Sequence, residues 1–277
     1  MIGDSMLIVA ALNGMRSRAE APAVPYLADE LAAEAKRAVD AGAGIVHLHA
    51  RKEDGSPAFD LVYDEIIGHI RALVGDVPVS ITTQRPRQTS LGTVTALFDF
   101  LREPPDLASV NVSPPAPDWP AHREEARQIL EAMERAKVAP VANVLGLDNL
   151  GDIEVLYNDS LLTRMPYLMA ELGTSVSSGG GRIPGTPHNV LRVIDACSQQ
   201  LSRFPIVIAG QDEASPAAIA VAAAAGVHVR VGVEDAAPLP DGTAAKSNGE
   251  LVERAVRQAE VLGRSPMSPE EARGLLR

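Results

Sequence analysis

The chain contains the stretch Gly44-Ile45-Val46-His47-Leu48-His49-Ala50-Arg51, an apolar run between a glycine and the turn-like residues 52–55. This pattern predicts a short buried strand that ends in a turn. Side chains alternate along a strand, so His47 and His49 would project from the same face. Two neutral imidazoles on one face can bind a divalent metal such as zinc. Because the pattern is short, the alternative is two unrelated histidines satisfied by backbone carbonyls.

Apolar, β-rich runs like this one recur along the chain, and segments with helical periodicity lie between most of them. The predicted strands are 7–11, 44–50, 77–83, 107–112, 138–144, 173–178, 204–209 and 227–233. The predicted helices are 27–41, 61–73, 121–136, 188–201, 216–225 and 248–262. Strand and helix alternating about eight times predicts parallel β/α units that close into a (β/α)8 TIM barrel. An open doubly wound sheet is the alternative architecture.

The chain shows no charge tract, low-complexity linker or internal repeat that would divide it, so we expect a single domain over residues 1–277. In the region 146–172 the pattern predicts turns followed by a helix that continues to Ala170. The tail 268–276 is predicted to form an additional capping helix, with Ser268 as its N-cap and Glu271 at the N3 position.

The composition excludes several classes of function. The formal net charge of −11 argues against nucleic-acid binding, and the aromatic content of 3% argues against a base- or sugar-stacking surface. Cys197 is the single cysteine, which rules out an intramolecular disulfide. No apolar run is long enough to span a bilayer, and residues 1–4 do not begin a signal peptide. We therefore expect a cytoplasmic protein.

The predicted barrel brings distant residues to one place, because catalytic groups lie at the carboxyl ends of the strands. His47 and His49 end the second strand, and Glu234 follows the eighth. The first and last strands of a closed barrel are neighbours, so Glu234 can supply an oxygen ligand to a metal held by the two imidazoles. Two histidines and one carboxylate leave positions open for water or substrate, as in a catalytic metal site. A solvated loop after a strand is the alternative for Glu234.

Arg230 is predicted to point into the barrel, where an arginine needs a charged partner, and Asp235 lies close by in sequence. We interpret the pair as an acid–base or orienting couple beside the metal, with a structural ion pair as the alternative. Thr83, Asn111 and Ser113 follow the third and fourth strands, where hydroxyls and amides can hold a carboxylate or carbonyl.

Two segments together resemble the β-keto acid cleavage enzyme family. They are Val46-His47-Leu48-His49-Ala50-Arg51 with the following Asp54-Gly55, and His228-Val229-Arg230-Val231-Gly232-Val233-Glu234-Asp235. Further agreement lies in Ile81-Thr82-Thr83, Ser109-Val110-Asn111 and Ser247-Asn248-Gly249-Glu250-Leu251-Val252. The resemblance spans nearly the whole chain. It implies a TIM barrel that is usually oligomeric and binds a divalent metal, typically zinc.

The resemblance also implies an activity and a role for each site residue. A β-keto acid would condense with acetyl-CoA, and retro-Claisen cleavage would give acetoacetate and a new acyl-CoA. His47, His49 and Glu234 would be the metal ligands. Arg230 and Asp235 would help to deprotonate the substrate. Thr83 and Ser113 match polar positions near the bound substrate.

The chain departs from the family pattern at the ends of two strands. The family commonly has Thr-Thr-Gly-Gly after the third strand, where this chain has Thr82-Thr83-Gln84-Arg85. Members that take cationic amino substrates have a glutamate where Asn143 lies. A neutral amide cannot offset an ammonium charge, so Asn143 predicts that a 3-keto-5-amino acid is not the preferred substrate.

Two other classes of function remain open at this point. One is a different zinc-dependent lyase or hydrolase on the same barrel. Amidohydrolases, for example, also have His-x-His on a strand, although they need further histidines that this chain lacks at its predicted strand ends. The other is a metal-binding member of the family without catalytic activity.

Overall fold

The computed structural model describes residues 4–86, 88–112, 122–173, 183–239 and 241–276. At its centre, eight parallel strands form a closed barrel and pair in chain order. The strands are β1 (Ile8–Ala11), β2 (Ile45–Leu48), β3 (Val79–Ile81), β4 (Leu107–Asn111), β5 (Ala139–Val144), β6 (Leu168–Leu172), β7 (Ile206–Gly210) and β8 (His228–Val231). β8 returns to pair with β1, with Val9 opposite Arg230. The prediction of a TIM barrel is therefore confirmed.

Helices follow the strands and cover the outside of the barrel. They are α1 (Ala28–Asp40), α2 (Val62–Val74), α3 (Leu91–Phe100), α4 (His122–Ala136), α5 (Asn149–Asn158), α6 (Pro187–Gln200), α7 (Ser215–Ala224), α8 (Asn248–Val261) and α9 (Pro269–Gly274). On the longer helices the buried residues recur at intervals of three or four, as Leu31, Ala35 and Ala38 do on α1. Within the described part of the chain, no helix is both long and apolar enough to cross a membrane.

Alternation along each strand separates the outer core from the barrel interior. Ile8, Val46 and Leu48 belong to the core between the strands and the helices, whereas Val9 and Ile45 belong to a second cluster inside the barrel. The interior side chains are apolar near the beginning of the strands. Polar side chains on the same inward face follow them towards the carboxyl ends. The change from apolar to polar layers positions the site at that end.

The opposite end of the barrel is closed by the C-terminal tail. The two-residue strands Ser5–Met6 and Ser265–Pro266 pair in parallel and lead into α9. A capping box between Ser268 and Glu271 starts this helix, as the sequence predicts. Ala272 is fully buried against the interior cluster. The tail therefore seals the amino-terminal end of the barrel.

The sixth strand lies earlier in the chain than predicted. It spans Leu168–Leu172, and residues 174–178 of the predicted strand lie outside the described residues. The predicted helix ends at Asn158 rather than continuing to Ala170. Leu, Met, Ala and Glu are good helix formers, so local propensity favours a helix in this segment. Every residue of the strand is buried between β5 and β7, and this packing overrides the propensity.

Candidate active site

Three potential metal ligands meet at the carboxyl end of the barrel. His47 is on β2, His49 follows it, and Glu234 lies just past β8. Their ligand atoms all lie within 4.8 Å of one another. Glu234 Oε2 is 3.7 Å from His47 Nε2, and Glu234 Oε1 is 3.5 Å from His49 Nε2. Ligand atoms around a tetrahedral zinc ion with bonds of about 2.1 Å are about 3.4 Å apart, so this spacing suits one ion.

The ionisation of these ligands also suits a metal. Burial lowers the pKa of His47 to about 3, although Glu234 opposes the shift, so the ring is neutral at pH 7. His47 Nδ1 lies 3.0 Å from Ser80 Oγ on β3, and a hydrogen bond there leaves Nε2 free to coordinate. Burial tends to raise the pKa of Glu234, but Arg230 and the two histidines hold it well below its ordinary value. Glu234 is therefore an anionic ligand.

One oxygen of Glu234 supports a cation site at this cluster. Glu234 Oε2 is buried and has no hydrogen-bond partner among the residues that the structure describes. A buried charged oxygen without a partner costs at least about 1–3 kcal/mol. A divalent ion held by His47, His49 and Glu234 would satisfy this oxygen. The three side chains are therefore the residues that would hold a metal, as the sequence predicts.

Arg230 and Asp235 form a buried pair beside this cluster. Arg230 Nε donates to Asp235 Oδ2 at 3.0 Å, and Nη2 makes a short hydrogen bond to the other oxygen. The same Nη2 donates to Glu234 Oε1 at 3.1 Å, which links the pair to the three potential metal ligands. Gln211 Nε2 donates to Asp235 Oδ1 at 3.0 Å. Burial raises the pKa of Asp235, Arg230 opposes this shift, and Glu234 adds to it.

Two side chains, Asn13 and Arg16, fix the segments that carry these residues through hydrogen bonds to the backbone. Asn13 holds His49 from both sides, because Nδ2 donates to the His49 carbonyl at 2.8 Å and Oδ1 accepts from its N–H at 2.9 Å. Arg16 donates to the carbonyls of Glu234 and Asp235, each at 3.0 Å. Asn13 and Arg16 were not predicted from the sequence, because every residue has the backbone groups that they contact, so no sequence pattern indicates such a partner.

Glu171 is a further buried carboxyl group in the site that the sequence analysis missed. It lies on β6, and its Oε1 is 3.7 Å from Arg230 Nη2. Burial raises the pKa of Glu171 to about 7; Arg230 lowers it, whereas Asp235 and Glu234 raise it further. The sequence signal was present but hidden, because the segment was predicted to be helical and not to end a barrel strand.

The predicted substrate-binding residues have different surroundings. Thr83 Oγ1 donates to the Ser109 carbonyl at 2.6 Å, so this hydroxyl ties β3 to β4. Asn143 Nδ2 donates to Asn111 Oδ1 at 2.7 Å. Asn143 Oδ1 is buried and has no hydrogen-bond partner within the described ranges, which leaves one acceptor for a ligand. Ser113 lies outside the described residues.

The chain is similar to known proteins over nearly its whole length. The model of the beta-keto acid cleavage enzyme family matches residues 5–277. The 3-keto-5-aminohexanoate cleavage enzyme of Acetoanaerobium sticklandii is 30% identical over 99% of this chain and 98% of its own length. The 3-oxoadipate:acetyl-CoA acetyltransferase of Cupriavidus necator is 24% identical over 100% of this chain and 95% of its own.

Solved structures share the fold. A ternary complex of ObcA with a C4-CoA adduct and oxalate has a TM-score of 0.72 and 18% identity, covering 92% of this chain and 67% of that chain. The HMG-CoA lyase of Brucella melitensis has a TM-score of 0.60 and 16% identity, covering 99% and 96%. The match of the family model over residues 5–277, together with the 30% identity to the Acetoanaerobium sticklandii enzyme, identifies the chain as a member of the beta-keto acid cleavage enzyme family.

Proposed function

We propose that this protein is a zinc-dependent enzyme that condenses a β-keto acid with acetyl-CoA and cleaves the adduct to acetoacetate and a new acyl-CoA. The observation that carries the proposal is the buried cluster of His47, His49 and Glu234, with one carboxylate oxygen unpartnered among the described residues, beside the Arg230–Asp235 pair. This arrangement occurs in a chain that belongs to the beta-keto acid cleavage enzyme family. One relative's name specifies an acetyl-CoA acetyltransferase.

The ligand set supports zinc as the metal. Two imidazoles and one carboxylate are a common set for catalytic zinc, and they leave a coordination position open. A divalent metal bound there would act as a Lewis acid towards the ketone oxygen of the substrate and would stabilise negative charge that develops on it.

The side chains next to the metal ligands supply the proton transfer. The carbon between the ketone and the carboxylate of a β-keto acid is acidic, and Asp235 would accept a proton from it. The resulting carbanion would attack the thioester carbonyl of acetyl-CoA, so that a carbon–carbon bond forms, the carbon–sulfur bond breaks and CoA thiolate leaves. The thiolate would then add to the original ketone carbon, and cleavage of the bond between that carbon and the α carbon would release the new acyl-CoA. The carbanion of acetoacetate would take back the proton from Asp235. Arg230 and Gln211 orient the Asp235 carboxylate through hydrogen bonds to both of its oxygens. Arg230 also offsets the negative charges of Glu234 and Asp235, which lie within hydrogen-bond distance.

The proposal includes an oligomeric state and a cellular compartment. The family resemblance is the reason to propose a homo-oligomer, which size-exclusion chromatography with light scattering would test. The single cysteine, Cys197, is buried and free, which is compatible with the reducing cytoplasm that we propose as its compartment.

A metal analysis followed by a substrate panel tests the proposal. The purified protein should contain about one zinc ion per chain, and acetoacetate should form from at least one β-keto acid when acetyl-CoA is present. Glu234→Gln should lower zinc affinity by at least about 100-fold, because it removes a ligand charge. Asp235→Asn should retain zinc and slow turnover by about 10²–10⁴-fold, because it removes the base.

Three results would contradict the proposal. Retained zinc without product from any β-keto acid would favour another metal-dependent lyase or hydrolase, or a member that only binds metal. Loss of zinc in Asp235→Asn would contradict the division of roles between the two carboxylates. Absence of any bound divalent metal, even after loading, would remove the basis of the site.

A further inference from the structure

Asn248 connects the ends of two strands that meet at the candidate metal site. It is the first residue of α8, and its side chain is fully buried. Its Oδ1 accepts a hydrogen bond from the Val233 N–H at 2.9 Å, and its Nδ2 donates to the Leu12 carbonyl at 3.0 Å. Val233 follows β8 and Leu12 follows β1. One amide group therefore bridges the backbone just past the carboxyl ends of both strands.

Each end of this bridge lies next to potential metal ligands. Val233 directly precedes Glu234, so the hydrogen bond to its N–H holds the backbone one residue before the carboxylate ligand. On the other side, the Leu12 N–H donates to the His47 carbonyl at 2.8 Å. The next residue, Asn13, holds the second histidine ligand by two hydrogen bonds. The bridge therefore joins the segment that carries the carboxylate to the segments that carry the imidazoles.

The partners of Asn248 permit only one orientation of its amide group. A backbone N–H can only donate and a carbonyl can only accept, so Oδ1 must face Val233 and Nδ2 must face Leu12. Glu34 on α1 supports this orientation, because its Oε2 accepts from the Asn248 Nδ2 at 3.0 Å and from the Asn248 N–H at 2.7 Å. Glu34 is itself buried, and Arg37 donates to its other oxygen. A buried carboxylate therefore fixes the side chain that bridges the strands.

The position of Glu234 depends on such a connection because it lies beyond the paired part of β8. Ala10 opposite Val231 is the last pair in the register between β1 and β8. Past this pair, the Glu234 N–H reaches the Ala11 carbonyl at 3.2 Å. Metal–ligand distances tolerate deviations of only about 0.2 Å, so a small separation of the two strand ends would weaken the binding of an ion.

We propose that Asn248 is a positioning residue for the metal site. It sets the distance between the Glu234 carboxylate and the two imidazoles by bridging the ends of β8 and β1, and Glu34 acts through it. The inference rests on the proposed function, because it requires that these three side chains bind a metal. The hydrogen bonds of the Asn248 side chain go to backbone groups and to Glu34, so its effect reaches the ligands through the backbone.

The zinc affinity of two variants tests this inference. Asn248→Ala removes the bridge, and Glu34→Ala removes the acceptor that orients it. Affinity would be measured by competition with a chelator, well below the Tm of every variant. Asn248→Ala should lower zinc affinity by at least about 10-fold, as is usual when a residue that orients metal ligands is lost. The absorption spectrum of the cobalt(II)-loaded protein should change as well, because it reports the arrangement of the ligands around the ion. Glu34→Ala should change both measurements in the same direction.

A double variant and a conservative variant show whether Glu34 acts through Asn248. When Asn248→Ala is already present, Glu34→Ala should lower zinc affinity by less than about twofold further, because the residue that it orients is gone. Glu34→Gln keeps an oxygen that can accept from the Asn248 amide and should stay within about threefold of the wild-type zinc affinity. The comparison of Glu34→Ala with Glu34→Gln provides the test even if Asn248→Ala folds poorly.

Val252→Ala is a matched control for loss of stability. Val252 is fully buried on the same helix and belongs to the core outside the barrel. Its truncation should lower the Tm through the cavity that it creates. Zinc affinity and the cobalt(II) spectrum should remain those of the wild type, because Val252 packs in the core and forms no bridge between the strand ends.

The outcomes separate this inference from the proposed function. Unchanged zinc affinity in Asn248→Ala, or an equal loss in Val252→Ala, would overturn the positioning role and leave the proposed reaction standing. Losses that add in the double variant would overturn the action of Glu34 through Asn248. A loss of zinc in Asn248→Ala, together with a zinc-loaded wild type that forms no acetoacetate from any β-keto acid, would overturn the proposed reaction and support the positioning role. A wild type that binds no divalent metal would overturn both.

Discussion

Glu171 and Glu234 are two buried glutamates in the same site whose pKa values shift in opposite directions. Glu234 accepts a hydrogen bond from Arg230 and lies within 4 Å of two histidine nitrogens, and its pKa is held well below the ordinary value. Glu171 faces the same guanidinium at 3.7 Å, and burial raises its pKa to about 7. Asp235 and Glu234 accept hydrogen bonds from Arg230, whereas Glu171 lies farther away. Arg230 therefore lowers the pKa of Glu171 less than burial raises it.

This difference predicts a pH dependence that can be measured without substrate or metal. The pKa of Glu171 is about 7 in the folded state against an ordinary 4.5, so the folded state binds more protons between these values. Protonated Glu171 therefore stabilises the folded state at low pH. This contribution to the free energy of unfolding is lost as the pH rises from about 4.5 through 7. In metal-free protein, the free energy of unfolding of the wild type should fall relative to that of Glu171→Gln by roughly 2.5 kcal/mol between pH 5 and pH 8.

Urea denaturation in the presence of a chelator would measure this difference at each pH. Titrating groups that do not interact with Glu171 are common to both proteins and cancel in the comparison, so the difference reports Glu171 together with the carboxylates coupled to it. Glu154→Gln should give a curve parallel to that of the wild type, because this carboxylate is exposed. Parallel curves for Glu171→Gln as well would show that Glu171 is ionised in the folded protein across the whole range.

At the level of single residues, the site could be predicted where a chemical pattern coincided with a strand end. His47 and His49 share a parity on one strand, and closure of the barrel brings Glu234 to them. Asn13 and Arg16 could not be found in this way. The groups through which they hold His49, Glu234 and Asp235 are backbone carbonyls and amides, which any residue type would present.

Among the elements, the junction between β8 and β1 controls where Glu234 lies. Gly232 comes directly after β8, and a Cβ atom at this position would lie 2.0 Å from the Ala11 carbonyl oxygen on β1. The same oxygen accepts a hydrogen bond from the Glu234 N–H at 3.2 Å. The two backbones can approach this closely only because residue 232 has no side chain.

Gly232→Ala should therefore damage both the fold and the metal site. The added methyl group must push β8 away from β1 and move Glu234 with it. We expect a loss of at least about 2 kcal/mol in the free energy of unfolding and a lower zinc affinity, measured by urea denaturation and by competition with a chelator. Gly68→Ala is a matched control within α2, where a Cβ would meet no atom within 4 Å. It should stabilise the protein by about 0.5–1 kcal/mol. Unchanged zinc affinity in Gly232→Ala would show that this junction does not position Glu234.

The elements also show where sequence patterns are insufficient. Alternating apolar runs predicted seven of the eight strands close to their observed positions, because those runs contain β-branched residues between turn signals. The sequence Leu168-Met169-Ala170-Glu171-Leu172 has neither β-branched residues nor alternating polarity, and only the neighbouring strands make it extended. The error at this strand concealed Glu171, a buried carboxyl group 3.7 Å from Arg230 in the candidate site.

Across the whole molecule, the two ends of the barrel have separate tasks. The carboxyl end holds the buried charged residues and the three side chains that could bind a metal. The amino-terminal end is closed by α9, whose Ala272 packs with the partly buried Leu275 and Leu276 against the interior cluster that includes Leu7 and Ile45. Arg273 ties the same helix to Asp76 and Asp106, which precede β3 and β4. A substitution in α9 can therefore change the stability of the protein without altering any residue of the candidate metal site.

Removal of residues 268–277 should lower stability and leave the metal site intact. Exposing the interior cluster and losing the contacts of Ala272, Leu275 and Leu276 should cost roughly 2–4 kcal/mol, which corresponds to a fall in Tm of roughly 5–15 °C. Leu275→Ala should give a smaller fall in the same direction. Zinc affinity, measured well below the Tm, should remain within about threefold of that of the full chain, because the bulk of the barrel separates α9 from His47, His49 and Glu234. A truncated protein that keeps its Tm would show that α9 does not seal the barrel. One that folds but loses zinc would show that the two ends are coupled through the interior layers.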